Sequence, residues 1–143
     1  MPLSARRRHG GEVSVPARPH LCPGTGKTGT NTVSSCVLIG NGWNTYDTLA
    51  FGDVNADGRT DPVGRDSGGD LWVYPHKGDT GTDALDSRVF IGNGWWPANW
   101  TTIRLADLND DHKIDIIGRA DKGDLHGYVN AMSTDGTIIF DNL

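Results

Sequence analysis

Short segments that mix apolar and polar residues recur along most of the chain and predict β-strands. In the first half these segments are VLIG (37–40), YDTLAFG (46–52), TDPVGRD (60–66) and LWVYPH (71–76). Glycine-rich or acidic turns separate them, such as SGGD at 67–70. Apolar, aromatic and β-branched runs of this length, bounded by Gly, Asn and Asp, are typical of strands. The pattern predicts about four short strands in this half.

The second half of the chain repeats the first half in the same order. The segment IGNGW recurs at a shift of 52 residues, and the acidic loop and the GR…GDL segment recur at a shift of 54. Repeats of this period are typical of propellers, in which each unit buries its apolar face against its neighbours. The predicted fold class is therefore all-β, with about two four-stranded antiparallel blades of a β-propeller-type repeat and a disordered N-terminal tail.

The repeat also predicts the organisation of the chain. Residues 1–35 are expected to be a basic, Gly/Pro-rich disordered tail or a mis-assigned start, and residues 36–143 the repeat region. Repeat one covers about 37–88 and repeat two about 89–143. Residues expected to pack between blades are Leu71, Trp72, Val73, Tyr74 and Leu125.

Two blades leave open edges, because closed propellers have about 4–8 blades. Exposed edges invite pairing with other strands. We therefore expect self-association or further repeats that close a propeller, or else marginal stability.

The charge of the chain is divided unevenly. The formal net charge is −5, although residues 1–35 hold five Lys or Arg against one Glu. The repeat region is therefore acidic, which disfavours nucleic acid and is compatible with bound cations. The basic cluster at 6–9 is interpreted as part of a solvated tail.

Targeting and cysteine signals are weak. No stretch approaches the roughly 20 apolar residues of a membrane span, and no signal peptide is visible at the N-terminus. Cys22 and Cys36 are the two cysteines and can form one disulfide or none. Without histidines at suitable spacing they do not indicate a zinc site.

The loop DVNADGRTD at 53–61 sets an acid or amide at alternate positions and follows the third of them with Gly58. Calcium takes 6–8 oxygen ligands at about 2.3–2.6 Å, and such a loop offers carboxylates, an amide oxygen and a main-chain carbonyl. Glycine permits the positive φ that the reversal needs. The predicted calcium ligands are Asp53, Asn55, Asp57, the Arg59 carbonyl and Asp61.

The loop DLNDDHKID at 107–115 repeats this arrangement, which raises the expected number of calcium sites to about two. Its predicted ligands are Asp107, Asn109, Asp111, the Lys113 carbonyl and Asp115. His112 stands where the first loop has glycine, and a left-handed conformation there costs on the order of 1 kcal/mol. We expect weaker binding at this site. The alternative for both loops is an acidic turn without metal.

The segments FGDVNADGRTDPVGRDSGGDLWVYP and LADLNDDHKIDIIGRADKGDLHGYV resemble FG-GAP or VCBS-type repeats, the calcium-loop blades of integrin-α-like propellers and of bacterial extracellular proteins. The resemblance covers roughly 37–143 and implies calcium at the loop residues above and an extracellular location. An EF-hand is excluded because position 12 is Gly64 or Gly118 rather than Glu. Dockerin is excluded because its repeats are shorter and a helix follows the loop.

The predicted function is a calcium-binding repeat module for extracellular recognition or adhesion, with structural calcium and no catalysis. No histidine has a serine or cysteine nearby in a nucleophile motif, and PGTGKT at 23–28 lacks the first glycine of a phosphate loop. One alternative is an accessory or remnant domain of a secreted hydrolase. A second is a lectin-like module that stacks sugars on Trp43, Trp95, Trp96 and Trp100, although packing between blades is the favoured role of these tryptophans. The ligand would be a glycan or a protein.

Overall fold

The described residues of a computed structural model, 20–30 and 35–142, form two four-stranded antiparallel sheets and almost no helix. The predicted all-β fold class is confirmed. The strands are β1 His20–Leu21, β2 Val37–Leu38, β3 Tyr46–Gly52, β4 Asp61–Asp66, β5 Leu71–Val73, β6 Val89–Gly92, β7 Trp100–Ala106, β8 Asp115–Ala120, β9 Leu125–Asn130 and β10 Phe140–Asn142. Single 3-10 turns lie at Trp43–Thr45 and Gly81–Asp83.

Each large sheet is a meander in which consecutive strands are neighbours. Sheet 1 has the order β3-β4-β5-β6, and sheet 2 has the order β7-β8-β9-β10. The first strand of each sheet carries a register shift at the same place, between Tyr46 and Thr48 and between Trp100 and Thr102. The acidic loops join the first two strands of each sheet. The repeat in sequence is thus also a repeat in backbone structure.

The sheets are offset from the sequence units that begin with VLIG and VFIG. Strand β6, which contains VFIG, pairs with β5 and closes sheet 1, with Trp72 opposite Phe90. The equivalent strand β2 pairs with β1 in a separate two-stranded sheet, with Leu21 opposite Val37. Sheet 1 therefore spans 46–92 and sheet 2 spans 100–142.

The core lies between one face of sheet 1 and the opposite face of sheet 2. Residues paired across adjacent strands lie on the same face of a sheet. We call the face of sheet 1 that carries Ala50, Val63 and Val73 its rear face, and the face of sheet 2 that carries Leu105 and Ile116 its front face. These two faces form one hydrophobic cluster. Each sheet accordingly also has a face that the other sheet does not cover.

The backbone of sheet 1 lies close to side chains of the second repeat near the acidic loops. A Cβ atom on Gly52 would lie 2.8 Å from Ile114 Cγ2 and 3.2 Å from Leu105 Cδ1. Asn130 at the end of β9 donates a hydrogen bond of 2.8 Å from Nδ2 to the carbonyl oxygen of Val54 in the first loop. The sheets are therefore joined by a polar contact as well as by apolar packing.

The predicted packing residues have different outcomes. Leu71 and Val73 are buried as expected, with 1% and 0% exposure. The prediction for Leu125 is wrong, because this side chain is 72% exposed. Leu125 lies on the rear face of sheet 2, which sheet 1 does not cover. Trp72 and Tyr74 are half-buried and lie in ring contact with Phe90 and Trp43.

The N-terminal part of the described chain is attached through a disulfide and a short sheet. Cys22 and Cys36 form a disulfide with a Cα–Cα distance of 4.1 Å. It joins the region expected to be a tail to the start of the repeat region. Residues 1–19 and 31–34, including the basic cluster at 6–9, lie outside the described residues. None of the helical turns in the described ranges has the length and apolar character to cross a membrane.

Gly118→Ala is expected to destabilise the fold by about 1–3 kcal/mol, because an added methyl overpacks a filled core. The new Cβ would lie 2.6 Å from the Trp95 ring and 2.7 Å from the Trp100 ring. Gly68→Ala is the matched control, because only a carboxylate oxygen of Asp66 lies near its Cβ, at 3.2 Å. Urea denaturation measures both. Equal stability of the two variants would show that the aromatic rings do not fill this space.

Candidate metal centre

The first acidic loop is closed by hydrogen bonds from its own backbone to its acidic side chains. Asp53 accepts from the N–H groups of Asp57 at 3.0 Å and Gly58 at 2.8 Å. Asn55 Oδ1 accepts from the same Asp57 N–H at 3.1 Å, and Asp57 Oδ1 accepts from Arg59 N–H at 2.8 Å. The oxygens of Asp53 and Asn55 therefore converge on one point of the loop.

The second loop has the same bonds at positions 54 residues later. Asp107 accepts from the N–H groups of Asp111 at 3.3 Å and His112 at 2.9 Å. Asn109 Oδ1 accepts from Asp111 N–H at 3.2 Å, and Asp111 Oδ1 accepts from Lys113 N–H at 2.9 Å. The two sequences thus adopt one loop structure, although they share few residues beyond the acids and amides.

The last acid of each loop is completely buried and holds the loop against its sheet. Asp61 accepts from Val54 N–H at 3.0 Å and from His76 N–H at 2.8 Å. Its equivalent Asp115 accepts from the N–H groups of Leu108 at 2.7 Å and Asn130 at 2.8 Å. Both side chains have no exposed surface. Each carboxylate therefore joins the start of its loop to the region at the end of the third strand of its sheet. In sheet 1 the partner is His76, which follows β5, and in sheet 2 it is Asn130, the last residue of β9.

Left-handed backbone conformations shape both loops at their fourth and sixth positions. In the first loop they are Ala56, with φ of 59°, and Gly58, with φ of 84°. In the second loop they are Asp110, with φ of 62°, and His112, with φ of 65°. His112 thus adopts the conformation that its position requires, at a cost on the order of 1 kcal/mol for a residue with a Cβ.

The buried acids lack a cationic side chain. Among the described residues, the ion pairs are Arg59 with the exposed Asp57, at 3.2 Å, and Arg65 with Asp47, at 2.7 Å. Burial raises the pKa of Asp61 above its ordinary value, although the N–H groups of His76 and Val54 lower it. An ionised carboxylate at such a place is stable only when a positive charge or several hydrogen bonds compensate it. A bound cation would supply the missing charge.

Two outer acids of the loops, Asp57 and Asp107, have pKa values below the ordinary value. Partial burial raises the pKa of Asp107, but backbone N–H groups led by that of His112 outweigh it and hold the pKa below its ordinary value. The same balance, with the Arg59 N–H and the Asn55 amide as donors, lowers the pKa of Asp57. Near neutral pH these groups are therefore carboxylates, the form that a hard cation binds.

The structure brings together the first two predicted ligands of each loop, because both accept from one N–H group, that of Asp57 or of Asp111. The third ligand of each loop accepts from a different N–H, and the fourth anchors the loop. Among the described residues, the acids with ligand atoms within 4.8 Å of one another include only Asp107 of these predicted ligands. Arg59 and Lys113, which were predicted as carbonyl ligands, take part in the loop hydrogen bonds through their N–H groups. These residues form two separate candidate cation sites, one for each sheet.

Two features of the sites were not predicted. Ligand atoms of Asp107, Asp110 and His112 lie within 4.8 Å of one another, and Ala56 and Gly58 offer no equivalent in the first loop. An imidazole suits transition metals better than calcium. Asn130, which bonds both Asp115 and the first loop, is buried and was also missed. The role of Asn130 could have been inferred from its alignment with His76, whose N–H donates to Asp61.

The tryptophans predicted as a sugar platform lie in separate clusters. Trp43 contacts Tyr74 with ring centroids 4.7 Å apart, and Trp95 contacts Trp100 at 4.8 Å. Trp43 and Trp95 are buried, whereas Trp96 is exposed. Open cavities of about 240 and 410 Å³ lie beside Trp43 and Trp100. The burial of Trp43 and Trp95 agrees with a packing role.

Comparisons of the chain with protein-family models, curated proteins and solved structures give no significant match. The resemblance to FG-GAP or VCBS-type repeats therefore stays a prediction.

Asp61→Ala is expected to destabilise the protein strongly, because it leaves the N–H groups of Val54 and His76 without their acceptor. A buried unsatisfied donor costs about 1–3 kcal/mol. Asp79→Ala, at an exposed position in the turn that precedes the second 3-10 segment, is the matched control. Urea denaturation in EDTA measures both variants. An Asp61→Ala variant as stable as the control would contradict the anchoring role.

Proposed function

We propose that the protein is a calcium-binding, propeller-type repeat module that serves recognition or adhesion outside the cell and is not catalytic. The observation that carries the proposal is the complete burial of Asp61 and Asp115 beside further acids, without a Lys or Arg partner in the described part of the chain. The recurrence of the whole arrangement in both sheets supports it. One isolated acidic turn would not.

In this proposal each loop holds one calcium ion. Carboxylate oxygens have more than one lone pair, so an oxygen that accepts an N–H can also face a cation. The first ion would be held by Asp53, Asn55, Asp57, the Arg59 carbonyl and Asp61, and the second by Asp107, Asn109, Asp111, the Lys113 carbonyl and Asp115. The ion would neutralise the loop and fix the first two strands of its sheet, so its role would be structural.

The proposed location outside the cell is supported by the disulfide between Cys22 and Cys36. Disulfides persist in oxidising compartments and are rare in the cytosol. Calcium sites of extracellular modules bind at roughly 10⁻⁴–10⁻³ M. Sites without the bidentate glutamate of an EF-hand can function at that concentration.

The absence of catalysis is proposed because the described histidines have other partners. His76 Nδ1 accepts from Gly78 N–H at 3.0 Å, and the His126 ring packs on Trp100 at 5.2 Å. His112 lies within the second loop. The alternative is an accessory domain of a secreted hydrolase. Such a domain is also non-catalytic, so it would need no catalytic histidine in this chain.

Calcium is expected to raise the melting temperature of the protein, and EDTA to reverse the rise. At about 100 times its dissociation constant, a ligand adds roughly 2.7 kcal/mol per site, which corresponds to a shift of several degrees. The double variant Asp53→Asn, Asp107→Asn should lose the shift, because each loop loses a charged ligand. Asp79→Asn is the control with the same chemical change outside the loops.

A melting temperature that calcium does not change would reject the proposed metal role. A shift of equal size in the double variant would place the calcium elsewhere. His112→Gly removes the unfavourable left-handed side chain, so we expect tighter calcium binding at the second loop than in the wild type. Unchanged calcium affinity would contradict this role of His112.

A further inference from the structure

The rear face of sheet 2 carries the sequence of an interface that is buried in sheet 1. Leu125 is equivalent to Leu71, and Arg119 is equivalent to Arg65. Leu71 and Arg65 are buried against sheet 2, with 1% and 5% exposure. Leu125 is 72% exposed and Arg119 is also exposed. Leu125 and Arg119 therefore correspond to residues that pack against another sheet, but they remain exposed on sheet 2.

On the front face of sheet 1, residues equivalent to buried residues of sheet 2 are exposed. Leu49 and Phe51 are equivalent to Ile103 and Leu105, which pack on the rear face of sheet 1. Ile103 is 1% exposed, whereas Leu49 is 38% and Phe51 is 59% exposed. The front face of sheet 1 thus presents the apolar half of the same contact.

Arg65 shows how the covered contact is made. Its Nε donates to Asp47 at 2.7 Å within sheet 1. Its Nη1 then reaches across to sheet 2 and donates to the carbonyl oxygens of Trp100 at 2.7 Å and Trp95 at 3.3 Å. Charge-assisted hydrogen bonds to buried carbonyls are specific as well as stabilising. This arginine therefore fixes one sheet upon the next.

The Arg119 side chain is held in the same manner at Nε, but its Nη atoms lack an acceptor among the described residues. Its Nε donates to Thr101 Oγ1 at 3.0 Å, and Thr101 is equivalent to Asp47. The structure shows no bond from the Arg119 Nη atoms to any described residue. The carbonyls equivalent to those of Trp100 and Trp95 belong to Tyr46 and Trp43, at the front face of sheet 1. The Trp43 carbonyl already accepts from the Tyr46 N–H in the 3-10 turn, so the Tyr46 carbonyl is the acceptor that matches Arg119.

We propose that copies of this chain associate head to tail, with the rear face of sheet 2 in one copy packed on the front face of sheet 1 in the next. Leu125 and Ile117 would cover Leu49 and Phe51 of the second copy. Arg119 would donate to the Tyr46 carbonyl oxygen of the second copy. The occupant is a second copy because the contact repeats one that the chain already makes between its own sheets.

The contact between copies would be more polar than the one within the chain. Arg104 replaces Ala50 and Gly127 replaces Val73 on the rear face of sheet 2. An arginine can cover apolar surface with its stem while its guanidinium stays in water. These replacements predict that the association between copies is weaker than the contact between the two sheets of one chain, and reversible. Terminal repeats of repeat proteins likewise have a polar outer face, which keeps them soluble.

A head-to-tail contact joins two different surfaces, so it forms either a closed ring or an open filament. Closed propellers have about 4–8 blades, and two blades per copy would complete a ring with about two to four copies. This inference does not depend on the calcium proposal, because none of the contact residues is a proposed ligand.

The test measures molar mass by light scattering after size exclusion, with calcium present throughout. The wild type is expected at a multiple of 15.4 kDa. Phe51→Glu disables the front surface and Leu125→Glu disables the rear surface, and each variant alone should be a monomer. Both side chains are exposed, so the fold should persist, as circular dichroism would show. Thr80→Glu adds the same charge on an exposed turn and should leave the assembly intact.

Mixing the two variants distinguishes the proposal from a symmetric dimer. Phe51→Glu keeps its rear surface and Leu125→Glu keeps its front surface, so an equimolar mixture should form a complex of twice 15.4 kDa and no larger. A wild type that is monomeric at every concentration overturns the proposal. Assembly that Phe51→Glu abolishes but Leu125→Glu does not would also overturn the proposal. A mixture of the two variants that stays monomeric would overturn it as well.

Discussion

The structure depends on a buried carboxylate that closes each acidic loop. Asp61 and Asp115 begin the second strand of their sheets. Each accepts two backbone N–H groups, one from the loop and one from a residue that ends or follows the third strand. An acid is needed because two donors converge on one side chain. Both side chains are fully buried. The charge that makes each carboxylate a good acceptor is also the charge that a bound cation would neutralise.

The same constraint connects the loops to the packing of the sheets. Asn130 follows the bond pattern of His76 by donating its N–H to the buried acid, and its side chain then reaches the Val54 carbonyl of the other loop. The first loop is therefore held from both sheets. Away from the loops, Arg65 performs the corresponding task at the opposite end of the strands. Loop closure and sheet packing are therefore connected through Asn130, which bonds the buried acid of one loop and the backbone of the other.

The sequence was sufficient for the features that local chemistry decides. Alternation and turn residues indicated the strands, and the repeat indicated that sheet 2 copies sheet 1. The left-handed conformation of His112 followed from its alignment with Gly58. Features that depend on neighbours were missed. Leu125 has the sequence context of a core residue but lacks a covering sheet. Asn130 was missed because its role depends on the distance between two loops far apart in the chain.

We propose that each loop holds one calcium ion. Calorimetric titration of calcium into protein freed of metal with a chelator counts these ions, because the stoichiometry does not depend on any change in stability. We expect two ions per chain, with the second loop the weaker because His112 occupies the left-handed position. A titration without binding heat, together with no calcium retained in equilibrium dialysis, would contradict it and leave the loops as acidic turns closed by hydrogen bonds alone.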